Sequence, residues 1–149
     1  MGSFSATVKG FAEKSKAAQE AVLQSSMEDV VARASASQES ARTRVGAAMP
    51  GYFPKDTGHL IATVAADING SGSFAVDTET DVSLQINEFG AGDKMHVAWT
   101  AAYAHRINSG FVGTDSLGRT YEQGGVHAVE ATAADWQEIV DANVEFLKV

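Results

Sequence analysis

Cysteine is absent from the 149 residues. That excludes a disulfide framework, a thiol nucleophile and any cysteine-based zinc or iron–sulfur site, and it fits folding in a reducing cytoplasm. Proline occurs only twice, at Pro50 and Pro54, where it forbids a helix from continuing. Basic residues are scarce: 11 Lys plus Arg stand against 19 Asp plus Glu, a net charge of −8. An acidic surface repels phosphates and anionic lipid, which disfavours a general nucleic-acid binder and a membrane-docking protein. No apolar run approaches the roughly 20 residues needed to span a bilayer. Residues 1–5 lack the basic start and apolar core of a signal peptide. No membrane partner is expected.

Recognisable chemistry is equally sparse. Asp56-Thr57-Gly58 is the triplet that carries the catalytic carboxylate in aspartic proteases, but a helical N-terminal third surrounds it here. A structural role is physically sufficient, with Asp56 or Thr57 capping a turn of helix through Leu60 and Ile61 and Gly58 permitting tight geometry. His59, His96, His105 and His127 show no close metal-ligand spacing, and surface or interface positions are their default. No serine sits in a nucleophile elbow. The glycine-containing run from Gly110 to Tyr121 lacks the Gly-Lys-Ser/Thr ending of a phosphate loop. No cofactor, no metal and no catalytic residue are expected.

Apolar residues make up 44% of the chain, enough for one domain spanning residues 1–149 with one core. Residues 9–34 read as an amphipathic helix, with Leu23, Met27, Val30, Val31 and Ala34 on one face and Phe11, Ala18 and Val22 extending it backwards. A second short helical piece would carry Ala41, Val45 and Ala48. Alternation at Val64, Ala66 and Ile68, at Phe74 and Val76, at Val82, Leu84 and Ile86, and again over residues 95–100, predicts about four strands in an antiparallel meander. Between two of them Asp77, Glu79 and Asp81 form an acidic turn. A short helix over residues 101–109 and a long loop over 110–125 precede a closing helix over 127–147. Val129, Ala133, Trp136, Val140, Val144 and Leu147 mark its buried face, and Glu130, Asp135 and Glu138 lie elsewhere on it. The predicted class is α+β, with helices on one face of an antiparallel sheet.

Long loops in compact domains are usually functional. Phe111, Leu117 and Tyr121 are large groups to leave in water, so the loop reads as a contact surface, with Asp115 turning the chain and Arg119 available for an acidic neighbour.

Taken in order, these pieces resemble the minor structural proteins of long-tailed phages at the head–tail junction, the neck, tail-completion or tail-terminator proteins. The resemblance rests on an opening amphipathic helix and on Pro54-Lys55-Asp56-Thr57-Gly58-His59-Leu60. It rests also on Tyr103-Ala104-His105-Arg106-Ile107-Asn108-Ser109-Gly110, where many relatives carry Glu at the position of Asn108. The loop from Gly113 to Arg119 and a closing helix with Trp136 complete it. The resemblance implies a non-enzymatic subunit that assembles as a ring, typically of about six copies. Such a ring caps the tail tube, joins it to the head-completion (stopper) protein and lets double-stranded DNA pass. It places the protein in the virion neck, and in the host cytoplasm during assembly. In such a ring the acidic turn Asp77, Glu79 and Asp81 is a candidate channel wall, with Glu130, Asp135 and Glu138 as the other. A head-completion role is the nearest alternative. An aspartic peptidase using Asp56 and a small assembly factor or antitoxin-like binding protein are the others.

Overall fold

The first helix, α1 (Phe4–Ser35), is longer than its apolar periodicity predicts. The computed structural model describes residues 4–40, 43–114 and 116–148. The α1 segment is rich in Ala, Glu, Lys and Gln and contains no proline, so it favours helix throughout. Only its later turns are buried. Met27 and Val31 pack against Val64, Val82 and Ile86, and Ala34 is buried outright. Phe11, expected on the same buried face, is exposed, as is every residue from 4 to 14.

Strands β1 (Ser37–Glu39) and β2 (Phe53–Lys55) pair in parallel, with Ser37 opposite Phe53. The expected short helix between them does not form. Ala41 lies outside the described residues, and Val45 and Ala48 are exposed in irregular chain. Gly46 and Gly51 hold positive φ there, which a helix excludes. The buried amide of Gln38 fastens this loop. It donates to the carbonyls of Met49 and Tyr52 and accepts the N–H of Met49, each at 2.7 Å.

A single turn, α2 (His59–Ala62), leads into β3 (Val64–Ile68). β3 pairs antiparallel with β4 (Met95–Trp99), Val64 opposite Trp99 and Ile68 opposite Met95. The four-strand meander is not present. Three separate two-stranded sheets take its place, and Phe74 and Val76 belong to no strand. The run Val82, Leu84 and Ile86 is helical: α3 spans Ser83–Glu88. Val82, Ile86 and Phe89 are buried at helical spacing, whereas Leu84 is exposed. Over so short a run the two periods coincide. Asp81 decides the matter locally, because its carboxylate accepts the Ser83 N–H at 2.9 Å and the Ser83 hydroxyl at 2.7 Å, satisfying a donor that a helix start leaves open.

Helix α4 (Ala104–Ser109) runs into β5 (Gly110–Thr114), which pairs antiparallel with β6 (Thr120–Gly124). The expected loop is therefore a hairpin arm. The closing helix is split into α5 (Ala128–Ala134) and α6 (Trp136–Leu147). At the break, the Asp135 N–H bonds the Thr132 carbonyl and its carboxylate meets Arg33 Nε at 3.0 Å.

α6 lies antiparallel on α1 along a polar seam. The Ser25 hydroxyl donates to Asn143 Oδ1 at 2.7 Å, and Asn143 Nδ2 donates to Asp29 at 2.8 Å. Ala128, Thr132 and Asn143 are the buried residues of α5 and α6. The stripe expected to be buried is only partly so: Val140 and Leu147 are half-buried beside Asn143, whereas Trp136 and Val144 are 36% and 38% exposed and Val129 is 41% exposed. The core tryptophan is Trp99, which packs against both hydrophobic clusters and sits 5.6 Å, centroid to centroid, from the ring of Phe53. The result is an α+β fold of long N- and C-terminal helices with small two-strand sheets.

Candidate functional site

Residues far apart in sequence converge on one open groove of about 590 Å³. One wall is Pro54 and the run from Asp56 to Ile61, the other is Tyr103 and Ile107, and Gly124 and Val126 close it at the foot of the arm. The Asp56-Thr57-Gly58 triplet shapes this wall as a turn. Gly58 precedes α2 at φ 87, a conformation that favours glycine. The Thr57 hydroxyl accepts the His59 N–H at 3.3 Å, so Thr57 supplies a local contact at the start of the turn. Asp56 is exposed.

His59 stands at the rim, its ring 6.4 Å from that of Tyr103. The acidic turn meets it there: Nδ1 lies 3.0 Å from Glu79 and Nε2 3.3 Å from Asp77. Asp77 also accepts the Ala102 N–H at 2.8 Å. The carboxylates of Asp77, Glu79 and Asp81 thus serve contacts within the subunit. They do not sit at the tip of a hairpin, because neither flanking strand exists. Asp77 itself holds φ 53, and the contacts to Ala102 and His59 fix that conformation.

Hydrogen bonding to Glu79, and then to Asp77, raises the His59 pKa above its ordinary value. The Ala102 N–H, and then His59, lower that of Asp77. His59 holds its proton more tightly folded than unfolded, so this pairing stabilises the fold fully below about pH 6.5. It is lost as pH rises through the raised folded value. Asp77 runs the other way: its contribution is present above the usual carboxylate range and vanishes as pH falls through the lowered folded value. An NMR titration should place the His59 midpoint above about 6.5, and Glu79→Gln should bring it back down. A midpoint unmoved by Glu79→Gln would show that the pair does not form in solution.

Asn108, in the other motif, fastens α4 to α5. Its Nδ2 donates to the Glu130 carboxylate at 3.1 and 3.0 Å, while its Oδ1 accepts the Val129 N–H at 3.1 Å. Only a neutral amide both donates and accepts in this way. A glutamate at this position would face Glu130 with like charge. The sequence signals neither this bridge nor the His59 cluster, because their partners lie some 20 residues away in the chain.

The arm presents fewer apolar anchors than expected, and different ones. Phe111 is half-buried under the Arg106 guanidinium, 3.9 Å from its ring centroid. Strand alternation turns its neighbour Val112 outward, 78% exposed, and Leu117 at the tip is 75% exposed. Val112 was missed. The β-branched Val112 and Thr114 before the tip, with Thr120 after it, were the available strand signal. Arg119 is exposed near the tip. Asp115 and the side chain of Tyr121 lie outside the described residues.

The foot of the arm is tight. The Val126 and His127 N–H groups bond the carbonyls of Ile107 and Asn108 at 3.0 and 2.9 Å. A Cβ on Gly125 would collide with backbone, 2.5 Å from the Ser109 carbonyl carbon and 2.6 Å from the Gly110 nitrogen. Gly125→Ala should therefore destabilise the subunit by about 1–3 kcal/mol, read from denaturant midpoints. A midpoint equal to wild type would mean that the joint is loose enough to give way.

Compared with protein-family models, with curated proteins and with solved structures, the chain gives no match in any of the three.

Proposed function

We propose that this chain is a structural, non-catalytic subunit of a tailed-phage neck: a tail terminator that works as a ring. One observation carries the reading. The two segments on which the resemblance to neck proteins rests, Pro54–Leu60 and Tyr103–Gly110, meet around one groove at the foot of a projecting arm. The arm holds Val112 and Leu117 in water, as a surface awaiting a partner does.

The task of such a subunit is geometric. A head-to-tail contact between copies closes on itself under cyclic symmetry and leaves two unlike faces. One face stops growth of the tail tube by binding the tube protein, and the other docks the head-completion protein. A net charge of −8 per subunit gives the lumen a sign that repels phosphates over about 8 Å at physiological salt, so duplex DNA passes without being held.

Localisation of the subunit in intact virions by cryo-microscopy tests this. Annular density between tail tube and head is the expected result. Its presence inside the capsid, in the tail fibres or nowhere in the particle would reject the assignment.

A further inference from the structure

A sheet of two strands has two outer edges, and the β3–β4 sheet covers only one of them. The Thr100 N–H bonds the Thr63 carbonyl at 3.1 Å, and the Asn69 N–H bonds the Lys94 carbonyl at 2.7 Å. These two bonds fix the phase of the ladder, because inward and outward backbone groups alternate along an antiparallel pair. The pairs that bond across it are Ala65 with Ala98 and Asp67 with His96. Val64, Ala66 and Ile68 therefore turn their N–H and C=O groups to the outer edge of β3. Met95, Val97 and Trp99 turn theirs to the outer edge of β4.

The β3 edge is partly occupied by its own chain. The Thr80 N–H bonds the Ala62 carbonyl at 3.1 Å, and the Thr80 hydroxyl bonds the Val64 carbonyl. Phe74 and Ala75 lie beside Ala65 and Ala66 around a small cavity. Nothing comparable lies along β4. Among the described residues, no hydrogen bond reaches the outward backbone groups of Met95, Val97 or Trp99, and all five residues of the strand are half-buried. Such an edge is a template for another strand. The other open edges are poorer ones. β1 and β2 have three residues each, and β5 and β6 contain Gly110, Gly113 and Gly124, which weaken a strand.

The residues of β4 favour their own copy as the partner. Laid antiparallel on itself about Val97, the strand sets Met95 opposite Trp99, Val97 opposite Val97 and Lys94 opposite Thr100. Every outward-turned residue then meets another, and each such pair exchanges both backbone bonds. The side chains match as well. Met95, Val97 and Trp99 share the face that packs on α1 and α3, and thioether against indole and valine against valine are favourable cross-strand neighbours. A register centred on His96 instead would set that ring against its own copy and leave Trp99 beyond the partner strand. Residues 94–100 contain no Asp or Glu, so two copies of a chain of net charge −8 meet here without facing carboxylates.

We propose that a second copy of this chain pairs with the open edge of β4, antiparallel and in register about Val97, so that the two β3–β4 sheets become one. The contact is isologous, so it ends at two copies. It is a property of the free subunit, separate from the head-to-tail contact of a ring, and goes beyond that reading.

Sedimentation velocity on the full chain should show a species of twice the 15.6 kDa subunit mass that dissociates on dilution. Amide hydrogen exchange reads the edge directly. Where the pair is populated, the Met95, Val97 and Trp99 amides should exchange about tenfold more slowly or better than in dilute subunit, while those of His96 and Ala98, already bonded to β3, should not change. Val97→Pro removes an outward N–H and spares the two that β3 uses, a position where an edge strand tolerates proline. It should give a monomer with the wild-type circular dichroism. Val97→Cys tests the register without that variant, in a chain that has no cysteine of its own. Paired Cα atoms about 5.5 Å apart are within disulfide reach, so mild oxidation should yield a covalent dimer, whereas Val112→Cys on the more exposed arm should not. A wild-type monomer at all concentrations overturns the pairing, as does a dimer that survives Val97→Pro. Protection of the β4 amides on association without a cross-link at residue 97 assigns the edge to another strand and also overturns it. A monomer in solution together with annular density in virions removes this contact alone and leaves the ring standing.

Discussion

Truncating Phe53 to alanine should remove about 3–5 kcal/mol of stability, enough to leave the subunit largely unfolded if its total lies at the low end of about 5–15 kcal/mol. Phe53 is 1% exposed and lies in one cluster with Leu60, Ala101, Ala104, Val126 and Ala128, its ring against Trp99. These residues come from β2, α2, the segment around α4, and the chain entering α5, so one cavity would loosen both walls of the groove. The same truncation at Trp136, which is 36% exposed, should cost less, because part of that ring is already in water. Denaturant melts of the two variants side by side decide it. Equal losses, or a larger loss at Trp136, would show that the core lies elsewhere.

Replacing residues 111–123 by a short glycine–serine link should leave the subunit folded and abolish the joining of tails to heads. The paired strands of the arm hold mainly each other. Phe111 under Arg106 ties it to the body, and its removal should shift the melting temperature by no more than about 4 °C. Val112 and Leu117 would be lost to any partner that buries them, and buried apolar anchors dominate interface energies. Plating efficiency and electron micrographs of lysates read the outcome, with separate heads and tails expected. Infectious particles at wild-type yield would reduce the arm to a connector.

The legible parts of the fold were those with a long period or a strong local signal. The α1 pattern through Met27, Val31 and Ala34, the β3 alternation from Val64 to Ile68 and the strand from Met95 to Trp99 all appear where the residues put them. Val82 to Ile86 misled because five residues satisfy both a strand and a helix, and the Asp81–Ser83 contacts choose between them. In sequence the hairpin arm reads as a loop, because no two-residue turn marks its tip. At the candidate site, the glycine of the Asp56-Thr57-Gly58 turn was legible from its chemistry. The pairing of His59 with Asp77 and Glu79 was not, because nothing in a linear pattern brings residue 59 to residue 77.

Composition and periodicity alone determined that the chain is α+β and acidic, lacks thiol chemistry, and carries apolar stripes on its first and last helices. Those properties are local, set by side-chain type and by the 3.6- and 2-residue repeats. Which stripe is buried within the subunit is not local. Ser25, Asp29 and Asn143 lock α6 onto α1 by a polar seam, and that lock leaves Trp136 and Val144 at the margin of the contact while Trp99 packs against both hydrophobic clusters. Only the tertiary structure decided this, because a periodic stripe declares that it will be covered, whereas the long-range contacts settle whether the cover comes from the same chain.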